Sequence, residues 1–125
     1  MGISDEIEKC IQDKGLTAPR VTPDDIEANI GAEFYFTAEH GVEGAMGRGE
    51  LFARDVDGRP GRSLSLLTFC VLRLRNGFTV TGESACASPE NFNAELGRKI
   101  ARKNAVEKIW PLMGYELRSK LAQAS

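Results

Sequence analysis

The sequence predicts an α+β fold: a small antiparallel sheet built on a hairpin at 64–84, packed by a C-terminal helix from about Pro89 to Trp110, with short N-terminal helices. Three observations carry this. The run LSLLTFCVLRLR at Leu64–Arg75 is too continuous and β-rich for a loop, and Asn76-Gly77 after it is a turn signal leading into Phe78–Ser84. Ser88, Pro89 and Glu90 then give three helix-start signals ahead of a long helical stretch. Near the N-terminus, apolar residues recur at helical spacing.

In chain order, Ile3, Ile7, Cys10 and Ile11 predict an amphipathic helix over Ile3–Lys14, with Ser4 and Asp5 as caps and Gly15 as a stop. Thr22 followed by Pro23, Asp24 and Asp25 predicts a second helix from Pro23 to about Ile30. Glu33–Thr37 is aromatic-rich and reads as a strand, with continuation of the preceding helix as the alternative. Residues 41–62 hold six of the thirteen glycines together with Arg48, Arg54, Arg59 and Arg62, without periodicity, and are expected to form a mobile loop or insertion, with a ligand lid as the alternative.

The hairpin register can be derived. A two-residue turn at Asn76-Gly77 would mix Arg73 and Arg75 with Val80 and Phe78 on one face. A three-residue turn, Arg75-Asn76-Gly77 with Gly77 left-handed, pairs Leu74 with Phe78, Leu72 with Val80 and Cys70 with Gly82, and so separates the faces. The opposite face then pairs Arg73 with Thr79, Val71 with Thr81 and Phe69 with Glu83. This assigns Leu72, Leu74, Phe78 and Val80 to the core.

On the helix after the hairpin, Leu96, Gly97, Ile100, Ala101 and Ala105 share one face, and Glu95, Arg98, Lys99, Arg102 and Lys103 the opposite arc. Pro111 is expected to end or kink this helix after Trp110. Gly114 is expected to break the chain again before a last helix over Tyr115 to about Gln123.

With 125 residues, 42% hydrophobic and 27% charged, the chain has the composition of one domain spanning 1–125. MGISDEIEKC has neither the basic nor the apolar region of a signal peptide, so a cytoplasmic location is expected. Cys10, Cys70 and Cys86 form no metal-binding or disulfide pattern. The net charge of −2 is divided: residues 88–125 carry seven basic against four acidic side chains, leaving −5 for 1–87. That asymmetry suits a confined anionic ligand better than a long nucleic acid.

The candidate binding residues are Ser84, Asn91, Phe92, Arg98 and Arg102. Free N–H groups at the expected helix start attract anions, Arg98 and Arg102 stand one turn apart for phosphate, and Phe92 offers a ring for a purine. Ser84 and Asn91 add hydrogen-bonding groups. A basic arc is also an ordinary solvated helix face with Glu95 pairing to Arg98 or Lys99, and a first-turn Phe92 also fits a core. The lone His40 sits at the edge of the glycine-rich stretch, where solvation is the default. Neither HExxH, a nucleophile elbow nor a P-loop occurs, so no enzyme, metal or cofactor is expected.

The run NGFTVTGESACASPENFNAELGRKIARKNAVEKIWPLMGY, with the earlier KGLTAPRVTPDDIEANI, resembles a family of small tailed-phage accessory proteins and, through it, the first-type Thoeris anti-defence proteins. The resemblance implies a sponge in the infected host's cytoplasm. It would sequester cyclic ADP-ribose-type immune signals without cleaving them, and also cyclic oligonucleotides. It further implies a homo-oligomer, with dimers assembled into a hexamer. The alternatives are a phage protein that inhibits a host protein through the basic helix, and a binder of single-stranded nucleic acid.

Overall fold

The computed structural model describes residues 5–16, 18–54 and 62–124. Ile3 and Ser4 of the expected first helix, and Arg59 of the expected loop, lie outside the described residues.

Helix α1 spans Asp5–Asp13 and closes at Gly15, whose φ of +64° allows the chain to turn back. Helix α2, Pro23–Ala28, starts where predicted. The Asp25 N–H donates to Thr22 Oγ1 at 3.1 Å while the Thr22 N–H donates to Asp25 Oδ2 at 2.9 Å, a reciprocal cap. It ends two residues earlier than expected, because Ile30 already opens strand β1, Ile30–Thr37.

Residues 41–47, expected as loop, belong instead to helix α3, Ala38–Gly47. Thr37 Oγ1 accepts from the His40 N–H at 3.2 Å, and His40 Nδ1 accepts from the Thr37 N–H at 3.1 Å. His40 thus occupies the place usually held by Glu or Gln in such a cap. A 3-10 turn at Arg62–Leu66 takes over the beginning of the predicted strand, and β2 runs Leu67–Leu74. Strand β3 is Thr79–Ala85, and the sheet order is β1-β2-β3, antiparallel throughout.

The derived register holds. Leu72 pairs with Val80, Cys70 with Gly82, Arg73 with Thr79, Val71 with Thr81 and Phe69 with Glu83. At the turn, the Leu74 N–H donates to Phe78 O at 2.8 Å and the Gly77 N–H to Leu74 O at 2.9 Å, with Gly77 at φ +92°. Phe78, expected in the core, is instead 55% exposed. It sits at the sheet's open end, beside Leu112 and Met113, where nothing covers its outer side.

After β3, a short 3-10 turn at Pro89–Asn91 precedes α4, Ala94–Glu107. The packing of α4 on the sheet explains its small residues. Gly97, Ala101 and Ala105, one turn apart, are buried, and a Cβ built on Gly82 would fall on the Ala101 carbonyl oxygen and the Ala105 nitrogen. Backbone therefore lies against backbone, and only glycine fits at 82. Leu96 and Ile100, predicted on the same face, lie at its margin, 54% and 40% exposed.

Lys108 separates α4 from α5, Ile109–Ala124. Pro111 does not end the preceding helix; it is the third residue of a new one, where its missing N–H has no intrahelical acceptor to lose. Gly114 lies within α5 and does not interrupt it. The core unites Ile26, Leu72, Leu74, Val80, Ile109 and the small residues of α4, with Tyr35, Trp110 and Met113 packed around it.

Candidate functional site

The segment joining β3 to α4 organises the site, although differently from expectation. Ser88 makes no side-chain cap to the backbone; its hydroxyl donates to Glu90 Oε2 at 2.8 Å. Pro89–Asn91 forms one short 3-10 turn, and Phe92 returns to extended backbone with ψ 128°. The long helix is capped by Asn93, whose Oδ1 accepts from the Leu96 N–H at 2.9 Å. The correction has a physical cause: Ser-Pro-Glu suits the entry to any helical turn, and here the turn lasts three residues.

Phe92 is half-buried against Gly97 and stands as a ridge between two depressions. On one side, β1, the start of α3 and the start of α4 enclose a cleft of about 310 Å³. Tyr35, Phe36 and Phe92 provide its aromatic walls, with Arg98, Thr37 and His40 at polar positions. On the other side, a recess of about 140 Å³ is lined by Ser84, Asn91, Phe92 and Leu96, among others. The structure therefore brings Phe92 and Arg98 together on one side, and Phe92, Asn91 and Ser84 together on the other.

Arg102 lines neither depression. Its guanidinium meets Glu27 end-on, with Nη2 2.8 Å from Oε1 and Nη1 3.2 Å from Oε2. The same group donates from Nε to Glu33 Oε1 at 2.9 Å. These charge-assisted bonds raise the Arg102 pKa further, and the Arg102 guanidinium, helped by the Tyr35 hydroxyl, holds the Glu33 carboxyl below its usual range. Tyr35 Oη donates to Glu33 Oε1 at 2.7 Å, and burial chiefly, with that bond, pushes its own pKa up. Arg102 thereby ties α4 to α2 and β1. On the solvent side of α4, Lys99 pairs with Glu95 at 3.4 Å, as a solvated face would.

Among the cleft residues that sequence reasoning missed are Tyr35, Phe36, Thr37 and His40. Their signal was a Thr-x-x-His spacing at the end of an aromatic strand. Because His40 Nδ1 accepts the Thr37 N–H, the neutral ring carries its proton on Nε2. The cleft thus combines ring surfaces, one guanidinium, an imidazole N–H and the hydroxyl-bearing residues Thr37, Ser65 and Thr68. It also includes the carboxylate of Glu39, so its charge is mixed. Among the described residues, no His, Cys, Asp and Glu group is arranged to hold a metal, and no helix is long and apolar enough to cross a membrane.

Fold and cleft together define a small α+β domain: a three-stranded antiparallel sheet backed by one long helix, with an aromatic cleft of mixed charge at the end of the sheet where α3 begins. The chain belongs to the phage protein (N4 Gp49/phage Sf6 gene 66) family, which it matches over residues 21–121. That span holds every element from α2 through β3 and α4, and leaves α1 outside. No curated protein and no solved structure matches the chain.

Proposed function

We propose that this phage-family protein binds a cyclic ADP-ribose-type immune signal and sequesters it intact, as an anti-defence sponge in the infected host's cytoplasm. Cyclic di- or trinucleotides form a second ligand class. The observation that carries the reading is the placement of Phe92 and Arg98 in one cleft of about 310 Å³, with Thr37 beside them. A base can stack on the ring, the guanidinium can take a phosphate, and the hydroxyl can meet a ribose. The sequence resemblance supports the choice of signal, and the family supports the phage setting. Sequestration needs affinity and abundance alone: ligand held above its dissociation constant is withdrawn from its receptor by mass action, with no general acid or base involved. Self-association into dimers and a hexamer is part of the same proposal.

Calorimetry with cyclic ADP-ribose isomers and with cyclic di- and trinucleotides tests it, followed by heat denaturation and chromatography of the released ligand. Sequestration predicts saturable heat with at least one cyclic ADP-ribose isomer and recovery of unchanged ligand. Conversion to a new product would make the protein an enzyme and overturn the proposal.

One observation favours a second reading, inhibition of a host protein. Leu96 and Ile100 are exposed on α4 beside Lys99 and Lys103, an apolar and basic strip that a protein surface would cover. That reading predicts a retained host protein and indifference to nucleotides.

A further inference from the structure

Helix α4 covers only one face of the sheet. The other face is built in rows by the strand register: Ala32–Arg73–Thr79, then Phe34–Val71–Thr81, then Phe36–Phe69–Glu83. The middle and last rows are aromatic toward β1. Phe34 is 53% exposed and Phe36 38% exposed, and the Phe36 and Phe69 rings lie 5.7 Å apart. Helix α3 leans only on the Phe36 end, where a Cβ on Gly41 would stand 3.8 Å from the Phe36 ring. Exposed aromatic side chains in adjacent register positions are costly to leave in water.

The charges on this face are what identify its occupant. Arg73 lies in the first row and Glu83 in the last, both exposed, and among the described residues neither has an ion-pair partner. Within one copy they are separated by the intervening row. A two-fold axis lying across the strands at the Phe34–Val71–Thr81 row reverses the row order in an opposing copy. Arg73 then stands over Phe69 and next to Glu83 of the second copy, and the reverse contact forms at the other end. Phe34 meets Phe34 on the axis at the β1 edge, and Val71 meets Val71 at the centre of the face. An axis along the strands would instead set Arg73 against Arg73.

We infer that the open sheet face, centred on the Phe34–Val71–Thr81 row with Arg73 and Glu83 at its two ends, is a self-complementary surface that binds a second copy of this chain. The inference deepens the self-association proposed above and rests on it, but not on what the cleft binds. Unlike charges at opposite ends set the orientation of the two copies, and aromatic burial supplies the attraction.

Sedimentation of the nucleotide-free protein at tens of micromolar tests this. The wild type is expected to sediment as a dimer or a larger even assembly, and Phe34→Asp to sediment at half that size with unchanged circular dichroism. Arg73→Glu should weaken association about tenfold or more, and Arg73→Glu with Glu83→Arg should restore it, because the reversed pair meets itself across the same axis. The rescue keeps the test decisive if Phe34→Asp fails to fold. A monomeric wild type would overturn self-association altogether. An assembly that survives Phe34→Asp, or a double reversal no better than Arg73→Glu alone, would overturn this face while leaving assembly through another surface, such as the β1 edge. Calorimetry on the dissociated variant reports separately on the cleft.

Discussion

Arg102 Nε lies 2.9 Å from Glu33 Oε1, and the same guanidinium grips Glu27, so a cation from α4 is shared by acids of α2 and β1. The arginine that its helical spacing marks as a phosphate ligand acts as a clamp between elements. Arg98, one turn earlier, is the one that lines the cleft.

Arg102→Ala should therefore lower stability by about 1–2 kcal/mol, since it leaves two carboxylates without their partner in a partly exposed setting. Arg98→Ala should change stability by less than about 0.5 kcal/mol while weakening nucleotide binding. Urea unfolding of both variants, alongside calorimetry, separates the two roles.

The same clamp makes stability depend on pH. Glu33 has a lowered carboxyl pKa, chiefly through its bonds from Arg102 and then from Tyr35. Its contribution is complete above the ordinary carboxylate pKa of the unfolded chain and is lost as pH falls through the lower folded value. Unfolding free energy should thus decline below the ordinary carboxylate range, and decline less in Arg102→Met. Equal slopes for the two proteins in acid titrations of urea stability would contradict the coupling.

Gly82→Ala should destabilise by about 3 kcal/mol or more, because its methyl group would enter the backbone of α4 at Ala101 and Ala105. Gly114→Ala makes a sharp control. A Cβ there meets nothing within 4 Å, in the middle of a helix, and the change should stabilise by up to about 1 kcal/mol. Thermal unfolding of the pair reads both signs.

The location of the α4 cap is equally open to measurement. Asn93→Ala should cost about 1 kcal/mol through loss of the bond to the Leu96 N–H, whereas Ser88→Ala should cost less than about 0.5 kcal/mol. Equal costs would place Ser88 at the helix start after all.

Much of the sheet was legible in the sequence because local patterning settles it. Only one turn length keeps Arg73 and Arg75 off the face of Leu72 and Val80, and Gly77 supplies the left-handed residue that turn requires. Helix α2 was equally legible from Thr22-Pro23-Asp24-Asp25, a cap that closes on itself within four residues. Helix α3 was hidden, because Gly41, Gly44 and Gly47 blur its periodicity and His40 stands in the capping position. Pro111 reads as a terminator, yet the first turn of a new helix accommodates it equally well. The cleft was half legible. Phe92 and Arg98 were found from their own segment, while Tyr35 and Thr37 reach it only through the β1–β2 pairing. The role of Arg102 was beyond local reading, since Glu33 and Glu27 are 69 and 75 residues away in sequence.

Sequestration of a nucleotide signal in the Phe92–Arg98 cleft is tested most directly by calorimetry of cyclic ADP-ribose isomers against wild type, Phe92→Ala and Arg98→Ala. Saturable binding to the wild type, weakened about tenfold or more in each variant with unfolding free energy retained in Arg98→Ala, is the predicted result. No heat from any isomer at tens of micromolar protein, or binding indifferent to both substitutions, would contradict it.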